Sequence, residues 1–252
     1  MKFTNFAAAF ALTLGALTQV HAAPLVLGDT VQVSNQTGTV FTPSTYSDGL
    51  FTNVAFKLNG STTTSHASAG LFVLDHKHVT PAVGTSWTQF LSFCLEPDVF
   101  LTTNNQFDNP YTVNSVSDGY STASDAISEL WGRYFSSVTS DVTAAAFQVA
   151  LWELAFGATD KNLDTGVFQL VTNGGVKTQA QEWLTSLNGS GPKAQGLVVL
   201  TDNPRSNIDN QDLLTQGPVN DVPEPAMLAL LGIGLAGMSL ARRRQSGAAQ
   251  AA

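Results

Sequence analysis

The sequence predicts an α+β domain between two terminal segments: a β-sandwich or barrel with a helical insertion packed at one end. Two observations carry that prediction. Leu25 to about Leu101 is a series of short alternating runs bounded by Gly, Asn, Ser and Pro, whereas three amphipathic stripes of helical period, each carrying a Trp, follow from Ser124 onward. Strands first and helices inserted late make such a domain. The competing architecture, a pure sandwich, leaves the three Trp-bearing stripes unexplained.

The elements follow in order. Thr30–Val33, Leu50–Leu58 and Gly70–Leu74 alternate as strands. Trp87–Leu95 is the clearest of them. Trp87, Gln89, Leu91, Phe93 and Leu95 share one face; Thr88, Phe90, Ser92, Cys94 and Glu96 share a more polar one, and Pro97 stops the strand. Thr102–Thr122 is polar and reads as loop with local hairpin content. Ser124 caps a helix with Ile127, Leu130, Trp131, Tyr134 and Phe135 inward. A second helix starts near Ser140 or Asp141, buries Val142, Ala145, Ala146, Val149, Trp152 and Phe156, and ends by Gly157. A third spans about Thr178–Leu187 with Ala180, Trp183, Leu184 and Leu187 inward. Gly196–Thr201 reads as a returning strand, and Leu213 as the end of another. No internal repeat or low-complexity block appears.

The ends have their own logic. Met1-Lys2, the apolar Phe6–Leu17 and Val20-His21-Ala22 form a secretory signal peptide over residues 1–22, with cleavage after Ala22. The single domain is expected over 23–215 and a linker over 216–222. Pro223-Glu224-Pro225 then opens a segment over 223–244, which holds the fifteen-residue apolar run Ala226–Leu240 and Arg242-Arg243-Arg244; residues 245–252 form a disordered tail. The run reaches about 22 Å as a helix, short of a hydrocarbon core of ~30 Å, so it suits a transient transmembrane hold better than a lasting anchor. The arginines keep its end cytoplasmic. In order and composition this tail is similar to the PEP-CTERM sorting signal of Gram-negative bacteria. That resemblance implies processing by an exosortase, transient inner-membrane anchoring, and release to the cell surface or an exopolysaccharide matrix.

Charge excludes other destinations. Setting aside Lys2 and Arg242–Arg244 leaves seven basic residues against nineteen acidic ones, near −12. No nucleic-acid partner fits that balance, nor does adsorption to anionic lipid.

Cys94 is the sole cysteine, so no intrachain disulfide is available. It stands in Phe93-Cys94-Leu95-Glu96-Pro97. Downstream, Gln148 interrupts the apolar Ala146-Phe147-Gln148-Val149-Ala150-Leu151-Trp152. Together these resemble the thioester domains of bacterial surface proteins, with Leu151 in place of the motif's Ile and Phe147 where Thr or Gln is usual. The resemblance implies a Cys94–Gln148 cross-link supported by Phe93 and Trp152, open to attack by an amine or hydroxyl on a partner surface, matrix polymer or exopolysaccharide. A biofilm-matrix adhesin follows from it. The alternative is a non-reactive structural or carbohydrate-binding matrix protein in which Cys94 is core and Gln148 bridges backbone groups.

Other clusters point to little chemistry. His76-Lys77-His78 places two imidazoles on one strand face, expected as exposed decoration without a metal. Glu96 and Asp98 flank Pro97 in a turn expected to be solvated. No Gly-x-Ser-x-Gly elbow, dinucleotide loop or Cys/His zinc pattern is present. Neither a cofactor nor enzymatic turnover is expected.

Overall fold

The computed structural model describes residues 24–34, 49–80, 87–101, 110–156, 160–203 and 210–217. The signal peptide, the linker beyond residue 217, the sorting tail and Gly157 lie outside these. Eight strands form one sheet: β1 (Thr30–Ser34), β2 (Gly49–Leu58), β3 (Ser65–Thr80), β4 (Thr88–Cys94), β5 (Tyr111–Ser115), β6 (Phe168–Leu170), β7 (Leu197–Asp202) and β8 (Leu213–Gln216). Their order is β1-β5-β7-β8-β4-β3-β2-β6, and β1 pairs with β3 as well. Six strands therefore close into a barrel, and β2 and β6 extend from it.

β3 makes this closure, because its sixteen residues serve two neighbours on one edge. Ser65–Phe72 pairs with β2, whereas Asp75–Thr80 pairs with β1. On the other edge Phe72–His76 pairs with β4. Alternation then divides the core in two. Val31, Val33, Phe72, Leu74, Cys94, Tyr111, Val113, Val198, Leu200 and Leu213 come from all six barrel strands and form one cluster, the barrel interior. Their strand neighbours Phe93, Leu95, Val199 and Leu214 join a second cluster beneath the helices.

That helical layer holds α1 (Val116–Gly119), α2 (Ser124–Tyr134), α3 (Asp141–Ala155) and α4 (Gly175–Ser186). Ser140 caps α3 by accepting from the Thr143 N–H, while the Thr143 hydroxyl accepts from the Ser140 N–H. Every residue of α3 from Ala144 to Leu154 is buried, as expected of a helix enclosed on all sides. Buried Glu129 of α2 ties the turn after α4 to this layer. It accepts from the amides of Asn188, Gly189 and Gly191 and from Arg133. A Cβ at Gly191 would stand 2.0 Å from Arg133 Nε and would push the guanidinium away from Glu129.

The sheet is a barrel, and the helices insert between its strands as expected. Several details differ from the sequence reading. Val142 is exposed, because α3 turns its first turn to solvent. Ser124 does not cap α2; its hydroxyl donates to the Ser121 carbonyl, and Ala123 holds the cap position. The polar stretch before α2 contains β5 and α1, and Leu213 begins a strand instead of ending one. The largest correction concerns His76 and His78, which are buried. They continue the Phe72–Leu74 face of β3 into the barrel, and β1 covers them.

Candidate functional site

Cys94 is the last residue of β4, and the ladders on its two sides end at different points. Toward β8, Cys94 pairs with Leu213, and the Leu95 N–H reaches the Asp212 carbonyl. In an antiparallel strand successive residues direct their backbone groups to opposite edges, so those of Cys94 face β3. There the β3–β4 ladder stops at the Phe72–Ser92 pair. The rung that Cys94 needs is missing.

Gln148 supplies it. The Cys94 N–H donates to Gln148 Oε1 at 2.9 Å, and Gln148 Nε2 donates to the Cys94 carbonyl at 2.5 Å. A side-chain carboxamide thus stands in for a strand peptide in the gap between β3 and β4. Both residues are sealed, at 1 % and 0 % exposure. Leaving those backbone groups unmet in a dry core would cost about 1–3 kcal/mol each.

The residues beside the pair hold it in register. Phe93 and Phe147 each precede a member of the pair, and their rings meet at 4.6 Å. Trp131 packs edge-on against both. Phe147, the departure from the motif, is therefore what joins helix to strand. Trp152 lies one turn farther on and packs with Phe56 and Phe168 at the β2–β6 edge. It supports the helix there and not the pair.

Electrostatics keep the thiol protonated. Burial first, and then the negative charge of Glu96, push the Cys94 thiol far above its ordinary range. Glu96 is no solvated turn residue: its carboxylate accepts from the Asp212 N–H at 2.8 Å. The Asp212 carboxylate in turn accepts from the Asp202 N–H and the Tyr120 hydroxyl. Tyr111 faces the same barrel interior, and its phenol is raised by burial and then by Asp202. These residues come from segments remote in sequence and carry no local motif, so only the fold brings them together.

A groove of about 750 Å³ opens beside this end of the barrel. Phe51 and Phe72, which share the interior cluster with Cys94, form part of its wall with Pro97 and Gln211. Phe100 stands on it at 81 % exposure.

With Cys94 and Gln148 in contact, the mechanism implied for the pair is chemically coherent. Sγ attack on the Gln148 carboxamide carbon would form an acyl-thioester, with the thiol proton leaving on ammonia. The Cys94 N–H already points at the oxygen on which negative charge would gather.

Residues 221–245 match the PEP-CTERM protein-sorting motif. The match contains Pro223, Glu224, Pro225 and Arg242–Arg244, and it implies export, membrane-associated sorting and processing by exosortase. Among the described residues no helix is long and apolar enough to cross a membrane, and Ala226–Leu240 lies outside them. No curated protein sequence matches the chain. Two solved structures are similar to it. One is the N-terminal thioester domain of the fibronectin-binding protein SfbI from Streptococcus pyogenes, at 12 % identity and a TM-score of 0.39, covering 70 % of this chain and 97 % of that one. The other is the N-terminal thioester domain of a surface protein from Clostridium perfringens, at 14 % identity and a TM-score of 0.36, covering 65 % and 98 %.

Proposed function

We propose that the exported protein is a covalent adhesin of the cell surface or exopolysaccharide matrix, with an internal Cys94–Gln148 thioester as its reactive group. The observation that carries this reading is the paired hydrogen bonding of the Gln148 carboxamide to the Cys94 peptide, in a sealed gap of the sheet. Proximity is a main requirement of the closing step, and the two hydrogen bonds hold the carboxamide against the Cys94 peptide before any bond forms.

Capture reverses the logic. An amine or hydroxyl of a partner attacks the Gln148 acyl carbon, an amide or ester forms, and Cys94 departs and takes the nucleophile's proton. Because burial and Glu96 disfavour a thiolate here, Cys94 departs as the thiol with that proton. The groove beside Phe51, Phe72 and Phe100 supplies an approach for a polymer or peptide segment.

The test is the intact mass of the secreted protein. It should lie one ammonia below the sequence mass after allowance for end processing, and Cys94→Ala should abolish the deficit. A full-mass protein whose Cys94 alkylates after unfolding rejects the thioester. One observation favours the second reading: the Gln148 bonds already complete the β4 edge without a covalent link. A mass deficit that resists methylamine would then identify a structural or carbohydrate-binding matrix protein stapled by its cross-link.

A further inference from the structure

Asn-Gly occurs three times in the chain, at Asn59-Gly60, Asn173-Gly174 and Asn188-Gly189. The dipeptide has a chemistry of its own. Glycine places no Cβ beside its own nitrogen, so that nitrogen can reach the carboxamide carbon of the asparagine before it. The fold treats the three copies differently.

Asn188-Gly189 is held at both reacting groups. Asn188 Oδ1 accepts from Arg133 Nη2, from the Ser190 N–H and from the Ser190 hydroxyl. The Gly189 N–H, which would be the nucleophile, donates to buried Glu129 at 2.7 Å. Asn59-Gly60 lies in a closed turn. Its φ angles are 54° and 70°, the Asn59 N–H donates to the Val167 carbonyl, and the Ser61 N–H donates to the Leu58 carbonyl. Swinging Gly60 N toward the Asn59 side chain would break that closure. Asn173-Gly174 has no such restraint. Both residues are exposed, and among the described residues neither the Asn173 carboxamide nor the Gly174 N–H has a hydrogen-bond partner. The chain is fixed on either side of them, by the bonds of Thr172 with Ala55 and by the Thr178 N–H on the Gly174 carbonyl.

We infer that Asn173 is a site of spontaneous self-modification in the folded protein. The Gly174 nitrogen attacks the Asn173 carboxamide carbon, a C–N bond closes a succinimide, and the amide proton leaves with the NH₂ group as ammonia. Water then opens one of the two ring carbonyls and leaves aspartate or isoaspartate. No enzyme, cofactor or oxidant enters the balance. Gln148 and Asn173 are thus two carboxamides set to lose ammonia, one to a thiol in a dry core and the other to a backbone nitrogen in water. Water around Asn173 keeps opening its cyclic form, so a carboxylate accumulates there. That charge arrives where α4 lacks one: its N-cap is Gly174, without a side-chain oxygen, and its first turn holds no acid. A negative charge one residue ahead of the cap faces the unpaired amides and the positive dipole end of the helix. The aspartate product therefore gives a firmer start to the helix that packs on α3.

The test is peptide mapping of the secreted protein during incubation in mildly alkaline buffer, with the aspartate and isoaspartate products resolved by chromatography and fragmentation. Asn173 should convert first. Asn59 should follow roughly tenfold more slowly and Asn188 on the order of a hundredfold more slowly, because the hydrogen bonds around them must open before either can react. In urea, with the fold gone, the three rates should converge. Conversion should run unchanged in Cys94→Ala, which separates this loss of ammonia from that of the Cys94–Gln148 pair. Asn173→Asp should raise Tm by about 1–3 °C. An Asn173 that stays intact while the other two convert overturns the site, and so do equal rates at all three in the folded protein. An unchanged or lower Tm in Asn173→Asp overturns the gain assigned to α4.

Discussion

Gln148 and Glu153 sit five residues apart on one buried helix and meet opposite circumstances. The Gln148 amide has one donor and one acceptor in use, each matched to the strand group it faces. Glu153 has one oxygen matched by the Asn162 N–H and faces the Asp160 carboxylate as well. Glu129 of α2 provides a third case, a buried carboxylate surrounded by three backbone amides and an Arg. Its burial alone would raise its pKa, but the bonds from Gly189, Arg133, Gly191 and Asn188 bring it below the ordinary carboxylate value. The difference teaches that burial by itself says little about a polar group. What its atoms face separates a carboxylate held ionised, as at Glu129, from a carboxyl that keeps its proton, as at Glu153.

The largest effect should come from removing the completed joint. Gln148→Ala strands both backbone groups of Cys94 in a dry core and should cost about 2–6 kcal/mol, read from urea unfolding. Cys94→Ala keeps that peptide and both hydrogen bonds, so in a chain without the cross-link it should cost far less. Equal losses in the two variants, each unfolded alongside a parent of full mass, would show that the carboxamide rung contributes nothing.

The two carboxylates should then respond with opposite signs. Glu129→Gln breaks a buried, hydrogen-bonded ion pair with Arg133 and should destabilise by roughly 3–5 kcal/mol. Glu153→Gln at pH 8 removes a carboxyl held above its ordinary pKa and should stabilise by on the order of 2 kcal/mol. Destabilisation of both would mean that Glu153 is as well answered as Glu129, contrary to its raised pKa.

How much of this was legible in the sequence follows from the range of each signal. The β4 alternation and the stripes of α2 and α4 are local and were readable, as were Cys94 and Gln148 through their flanking motifs. β3 was read as five residues and spans sixteen, because Ala67, Ser68 and Ala69 pair with β2 without a strong apolar signature. His76 and His78 looked like surface residues for a related reason: polar side chains alternate equally well on an open face and inside a barrel. Closure by β1 decides between them, and it depends on residues more than forty positions away. Glu153 was missed as well. Nothing local says that this glutamate turns toward the loop that holds Asp160 and Asn162.

The pH profile of stability sharpens the comparison further, provided signs are kept straight. Glu153 holds its proton in the folded state from pH 4.5 to about 8 while the unfolded chain has lost it, so stability falls as pH rises through that window. His76 is lowered to about 4 by burial and then by His78. Its unfolded form is protonated below pH 6.5 while the folded one is not, so stability falls as pH drops from 6.5 to 4. Around His76 stand His78, which faces Asp29 at 3.4 Å, and the Phe90 ring. From pH 4.5 to 6.5 the two slopes, each roughly 1.4 kcal/mol per unit, oppose and nearly cancel. Above 6.5 the Glu153 slope stands alone. Unfolding free energy should therefore be level and then decline to pH 8, and Glu153→Gln should flatten the decline. A decline that survives in Glu153→Gln assigns it to another group.

The smallest effect probes how the joint is aligned. Phe147→Leu keeps an apolar side chain but removes the ring that meets Phe93, at a cost of about 0.5–1.5 kcal/mol beyond lost area. Its influence on chemistry should exceed its influence on stability. Closure depends on where the carboxamide carbon sits relative to sulfur, and a shift of about 1 Å costs on the order of a hundredfold in such reactions. Mass spectra of Phe147→Leu, collected at intervals after secretion, should show full-mass protein persisting where the wild type has already lost ammonia. The same substitution should leave the decline of stability above pH 6.5 untouched, because Phe147 packs on the β4 side of α3 and Glu153 lies at its far end. A loss of both properties together would mean that the two ends of α3 do not act independently.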